Sequence, residues 1–284
     1  MPELPDLEYV AHQLQGEAVG RTVDAVRVKE PIVLRVAVAG TLGELLVGKR
    51  LTRLERHGNF LVLDLEPGLQ LIVNPMLAGR FQLVSSTARS PAALCFALSL
   101  GSAGELRYLD DKKMGKVYVV PAGDWSQVPL IGELGDDVLA PAFTLERFAA
   151  LVKKRRDQVR PFLMDKRALS AIGNAYADEI LFAARIHPKT RCSKLTAHDV
   201  EQLHAAIGTV LRAAIDEVAR RGAPIEEKVR DFLQVRGRAG QPCPRCGSKI
   251  RTARVVDADA CFCPACQPAT RTLFIDWTKA DKPR

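Results

Sequence analysis

The chain has 284 residues, 47% of them hydrophobic, and carries 41 Lys/Arg against 33 Asp/Glu for a net charge of +8. That length suffices for about two domains with sizeable cores. The absence of any run of about 18 apolar residues and the acidic, proline-containing start exclude a helical membrane span and predict no signal peptide, so a bacterial cytoplasmic protein is expected.

Seven cysteines in such a chain argue against a disulfide framework. The positive charge is clustered: residues 221–284 hold 13 Lys/Arg against 7 Asp/Glu, and residues 151–170 hold 7 against 2. Phosphate backbones select for such clusters because each neutralised phosphate releases counterions, although a generally basic solvated surface would look similar.

In chain order, Met1-Pro2-Glu3 comes first. A methionine before proline is normally trimmed, which would leave Pro2 as a free secondary amine beside the Glu3 carboxylate. An α-amino group has a reference pKa of about 7.7–8.0, so part of it is unprotonated at neutral pH and can form a Schiff base. A solvated tail or a plain helix N-terminus is the alternative. Leu7, Val10, Ala11 and Leu14 recur at helical spacing and predict an amphipathic helix that anchors this end.

From about residue 22 to 121 the pattern becomes short β-prone runs: Val23–Val28, Leu61–Leu65, Leu69–Val73, Arg80–Val84, Leu94–Leu98, Glu105–Leu109 and Lys116–Val120. Turn residues separate them, and an antiparallel β-sandwich is predicted. Residues 121–141, with Pro129, Gly132 and Gly135, read as a linker. Helical periods follow. Thr144 can cap a helix through Leu151, with Lys153, Lys154, Arg155 and Arg156 at its end. The stretch Leu169–Phe182 turns at Gly173-Asn174, predicting two helices joined by a tight glycine turn. Asn174 there suits either a phosphate or a simple helix cap. A long helix spans Thr196 to Arg221 and stops at Gly222.

Near the end, Cys243-x2-Cys246 and Cys263-x2-Cys266 lie 16 residues apart, which is the spacing of one tetrahedral zinc held by two knuckles. Four cysteines close the coordination shell, so the zinc is expected to be structural and Cys261 a bystander. Lys249, Arg251 and Arg254 make the intervening hairpin basic. The fold class is therefore α+β, divided as 1–128 (β-sandwich), 129–240 (helical) and 241–284 (zinc finger).

An N-terminal Pro-Glu, a β-sandwich, a Gly-Asn helical turn and a terminal four-cysteine finger occur here in one order. In this the chain resembles the formamidopyrimidine-DNA glycosylase/endonuclease VIII family. The most specific pieces are PELPDLE at 2–8, IGNAYADEILF at 172–182, and the run from Val235 into the finger. The resemblance implies a helix-two-turn-helix DNA-binding domain and a monomer acting on double-stranded DNA that contains a damaged base, at the bacterial nucleoid. It implies that Pro2 is the nucleophile and Glu3 its assisting acid, that Asn174 grips phosphates, and that the loop around Asn74–Gly79 enters the duplex. Leu77 would wedge into the hole left by the everted base, unless it is a core leucine. Lys112 and Met114 stand where members face the orphaned base.

Departures from the family are as informative. Asn59 replaces a phosphate-binding lysine, Asp6 replaces a glutamate, and Ala258 replaces a hairpin arginine for which Arg254 could substitute. Base excision is expected to survive with weakened β- and δ-elimination. The chain between Gly222 and Val235 is too short for the loop that covers a flipped 8-oxoguanine. No organic cofactor is expected. The alternatives are a non-cleaving lesion or DNA-structure binder of the same family and a zinc-ribbon protein of transcription or translation; the latter leaves Pro2-Glu3 unexplained.

Overall fold

Leu4, Leu7, Val10, Ala11 and Leu14 form the buried stripe of the first helix, α1 (Leu4–Glu17), in the computed structural model, which describes residues 2–269. The expected trimming of Met1 falls outside that range. The chain divides into two units, residues 1–135 with 211–230, and residues 136–210 with 231 onward.

The first unit is a sandwich of two sheets. Strands β1 (Ala25–Val28), β7 (Leu94–Ser99), β8 (Glu105–Leu109) and β6 (Arg80–Val84) make the four-stranded sheet, in that order. The five-stranded sheet runs β2 (Leu34–Val36), β9 (Lys116–Pro121), β5 (Leu69–Asn74), β4 (Phe60–Glu66) and β3 (Arg50–His57). All pairings are antiparallel except β2 with β9. The inner faces meet in one core with α1, where Leu63, Leu71 and Val119 join Phe81, Phe96 and Leu106. The outer face of the larger sheet is also covered: Phe60, Val62, Ile72 and Tyr118 pack with Val128 and Ile131 of the stretch after β9. Burial on both faces explains why β4 opens on a continuous apolar run, Phe60–Leu63.

Two strands and one short α-helix of the first unit go beyond the predicted set. β3 was hidden because a register shift between Leu51 and Arg53 puts its inward leucines, Leu51 and Leu54, three residues apart instead of two. β2 is three residues on a sheet edge, and α2 (Leu42–Leu46) is a single capped turn, with Thr41 accepting from the Glu44 N–H.

In the second unit Thr144 caps α3 (Leu145–Lys153) as expected, accepting from the Arg147 N–H. Then come α4 (Val159–Met164), α5 (Asn174–Ala183) and α6 (Ala197–Arg221), the last opened by a reciprocal Thr196–Asp199 cap and belonging to the first unit from Leu211 on. The residues before Gly173 are not a helix, contrary to the predicted pair. α4 ends at Met164, Ala168 and Ser170 exchange backbone hydrogen bonds with Asp136, and Ala171 is left-handed at φ 66°. That competing bridge makes the connection two successive turns, the helix-two-turn-helix arrangement. The last two strands among the described residues, β10 (Arg251–Val255) and β11 (Ala258–Phe262), form an antiparallel hairpin. No helix among the described residues is long and apolar enough to cross a membrane.

Candidate active site

Pro2 and Glu3 are both buried, and Glu3 is the residue from which α1 springs. Its backbone N–H, an orphan donor at any helix start, donates to Asp6 Oδ2 at 2.8 Å. Asp6 is also gripped by the Arg230 guanidinium, Nη1 reaching Oδ1 at 2.7 Å and Nη2 meeting Oδ2. Pro2 lines a small recess with Asp6, Leu61, Gly79, Arg80 and Ile225. The Pro2-Glu3 end is therefore held on its own helix beside a small recess.

Two loops of the same unit carry the residues singled out for the DNA. Asn74 ends β5, buried, and its Oδ1 accepts the Met76 N–H at 3.1 Å. Leu77 then projects, 52% exposed, which removes the core-leucine alternative. In the second loop Met114 is 40% exposed and Lys112 is exposed. Met76 and Lys113 have φ of 47° and 53°, left-handed conformations that a non-glycine residue adopts only under constraint.

The constraint comes from residues not singled out beforehand. Buried Asp110 accepts the N–H groups of Lys112 at 3.0 Å and Gly115 at 2.6 Å. Arg80 binds the Ala78 carbonyl in one loop and Asp111, at 2.6 Å, in the other. The buried Tyr108 hydroxyl, whose ionisation burial pushes well up, sits where a side chain on Gly79 or Gly115 would go. A Cβ on Gly115 would lie 1.9 Å from that oxygen. Gly115→Ala is accordingly expected to destabilise the first unit by about 1–3 kcal/mol through overpacking, read as a lowered melting temperature. Tyr108→Phe in the same chain should recover part of the loss.

Asn59 lies in the two-residue turn between β3 and β4 and is 5% exposed. Its Oδ1 has no hydrogen-bond partner among the described residues. Arg56 supports the turn, donating to the Gly58 carbonyl at 3.1 Å and pairing with Glu8 of α1. A lysine here would carry a cation on this turn; asparagine supplies none.

In the second unit Asn174 is the first residue of α5, after Gly173, and so is not the cap. Its Oδ1 accepts from Arg160 Nη2 at 2.8 Å, which leaves the NH2 as the donor group of this half-buried amide. Arg160, 1% exposed, also pairs with Asp178 at 2.7 Å, and Asp178 receives Arg236 at 2.9 Å and the Cys261 N–H at 2.9 Å. Both arginines donate to the Asp259 carbonyl, so α4, α5 and the hairpin share one buried network. Next to it the Glu179 carboxylate accepts the N–H groups of Gln234, Val235 and Arg236, while burial raises its pKa. The network had a sequence signal: Asp178-Glu179 inside an otherwise apolar helix must find partners.

The four sulfurs of Cys243, Cys246, Cys263 and Cys266 lie within 4.8 Å of one another, with Cys243–Cys266 at 3.9 Å and Cys246–Cys263 at 3.5 Å. Thiolates about 2.3 Å from a tetrahedral zinc would be spaced about 3.8 Å apart, so the set fits one structural ion with no open position. Cys261 is not part of it. Arg254 is exposed and 3.7 Å from Asp259, and Lys249 and Arg251 are exposed as well. In the cluster at the end of α3, Lys153, Lys154 and Arg156 are exposed, but Arg155 is tied to Asp157 and Asp165.

These parts match known domains in the same order. Residues 1–117 match the formamidopyrimidine-DNA glycosylase N-terminal domain, 134–222 the formamidopyrimidine-DNA glycosylase H2TH domain, and 240–269 the zinc finger found in FPG and IleRS. The chain is 34% identical to the formamidopyrimidine-DNA glycosylase of Symbiobacterium thermophilum, over 99% of this chain and 93% of that protein. Among solved structures it is similar to Lactococcus lactis Fpg in complex with abasic-site DNA, at TM-score 0.85 and 25% identity, covering 94% of this chain and 100% of that one. The wild-type L. lactis enzyme with DNA containing an oxidised pyrimidine gives TM-score 0.86 and 26% identity over the same shares.

Proposed function

The chain belongs to the formamidopyrimidine-DNA glycosylase family, and from that premise we propose that it excises a damaged base from duplex DNA through a covalent intermediate on Pro2. With Met1 removed, the unprotonated Pro2 nitrogen attacks C1′ of the everted nucleotide as its bond to the base breaks. Glu3 protonates the sugar ring oxygen, the ring opens, and a charged iminium links protein to sugar. Pro2 and Glu3 act before any strand cleavage. The observation that carries this reading is the anchored N-terminus: Pro2 lines a recess while Glu3 is buried and held through its backbone by Asp6.

The other residues serve the grip. Leu77 fills the hole left by the everted base, with Asn74 holding the loop and Lys112 and Met114 beside the orphaned base. The NH2 of Asn174 and the exposed Arg254 bind phosphates. The three-part division assigns the chemistry to 1–128, the backbone grip to 129–240 and further phosphate contact to 241–284, whose zinc only shapes the hairpin. The protein works as a monomer, on nucleoid DNA. Its short 222–235 segment disfavours 8-oxoguanine and leaves formamidopyrimidines, oxidised pyrimidines, abasic sites and bulkier adducts as substrates.

Strand cleavage is the weaker activity, because Asn59 and Ala258 remove two cations that would hold phosphates during elimination. Asn59→Lys is expected to raise β-elimination on an abasic duplex while leaving base release unchanged, measured by product sizing in denaturing gels. No gain in cleavage would refute the role given to this position. Asn59 and Ala258 also favour a second reading, a lesion binder without efficient catalysis. Borohydride trapping on a panel of lesion duplexes separates the two: an adduct supports the enzyme, and tight binding with no adduct on any substrate supports the binder.

A further inference from the structure

The segment after α6 is short, yet it is not loosely attached. Within the first unit it is fixed at four points. The Ala223 carbonyl accepts from the Tyr9 hydroxyl at 2.7 Å. Ile225 packs on the sandwich core. Glu226 accepts from Gln82 Nε2 at 2.8 Å. Arg230 closes on both oxygens of Asp6. Ile225, Glu226 and Glu227 form one wall of the recess that Pro2 lines.

The fourth contact reaches the chemistry. Asp6 Oδ2, held by Arg230, is the same oxygen that accepts the Glu3 N–H. That N–H belongs to the peptide joining Pro2 to Glu3, so fixing it fixes the peptide plane next to the Pro2 Cα. One torsion, ψ of Pro2, then separates an anchored group from the attacking nitrogen. A bidentate guanidinium–carboxylate pair is directional as well as strong, and this one is mostly buried, with side chains 24% and 8% exposed.

We propose that Arg230 is a positioning residue for the reaction. Through Asp6 it aims the Pro2 amine and joins the wall of the recess to the reactive end, so that the wall and the nucleophile form one preorganised piece. The inference rests on the reading of Pro2 as nucleophile. It assigns Asp6 a purpose as well: the carboxylate at that position is shared between a helix N-terminus and a residue 224 positions away.

The test uses the full-length, zinc-loaded protein with Met1 removed, in single-turnover borohydride trapping on a lesion duplex. Affinity for the same duplex and thermal melting are measured in parallel. Arg230→Met should slow adduct formation by about 10²-fold, the size of effect a small misplacement of a reacting group produces, with duplex affinity unchanged. Arg230→Lys, which keeps the charge and loses the fork, should fall between the two and melts closer to the parent. Asp6→Asn combined with Arg230→Met should cost no more than Arg230→Met alone, because the two residues act as a unit. An adduct rate equal to the parent in Arg230→Met overturns the proposal. So does a loss confined to binding or to the folded fraction, with Arg230→Lys trapping at the parent rate. Should the parent itself form no adduct, the reading of Pro2 fails instead.

Discussion

Glu3→Gln is expected to slow base release by about 10²–10⁴-fold, the usual worth of a positioned acid, and Pro2→Gly is expected to abolish the trapped adduct. The two changes remove different things. Glutamine keeps the shape of Glu3 and its place at the start of α1, but has no proton to give to the sugar ring oxygen. Glycine keeps an α-amino group but loses the ring that limits its orientation and the secondary amine that yields a charged iminium. Because the Glu3 N–H to Asp6 bond and the Asp6–Arg230 pair involve neither side chain, both variants should fold and bind lesion duplexes like the parent. Single-turnover base release, with affinity measured separately, checks the pair of expectations. Wild-type rates in either variant would remove that residue from the chemistry.

Asp178→Ala is expected to be the most damaging single change in the second unit. It would leave the guanidinium of Arg160, 1% exposed, and the Cys261 N–H without their carboxylate. Breaking a buried ion pair by deleting one partner costs about 3–5 kcal/mol, since the remaining charge stays buried. Arg160 also sets the amide of Asn174, so phosphate binding should weaken together with stability. Calorimetry should show a lowered transition, and titration of undamaged duplex should show reduced affinity. Replacing Asp178 and Arg160 together by leucine and methionine should recover much of the stability but not the affinity. If the single variant melts like the parent, the network is not what holds α4, α5 and the hairpin together.

How much of this was legible in the sequence depended on range. The paired cysteines, whose meaning lies in their own residue type and spacing, could be read directly, whereas the Pro2-Glu3 start, Leu77 and Met114 took their meaning from the family resemblance. Strands that alternate without interruption were legible too. β3 was not, because its bulge breaks the period, and neither was the β2 edge, whose pairing with β9 comes from far along the chain. The supporting residues were the least visible. Asp110 looks like any loop aspartate until it is found capping two N–H groups, and Arg230 looks like a surface cation until it meets Asp6. Arg160 and Asp178 are charges in apolar surroundings, so the need for partners could be inferred, but not which partners.

The central claim is that the Pro2 nitrogen becomes bonded to the sugar of a damaged nucleotide. Its most direct test is peptide mapping by mass spectrometry of the protein after borohydride treatment with lesion-containing duplex. The account predicts a peptide beginning at Pro2, without Met1, that carries the reduced sugar on its terminal nitrogen. A conjugate found on a lysine side chain, or one formed by protein that still retains Met1, would contradict it.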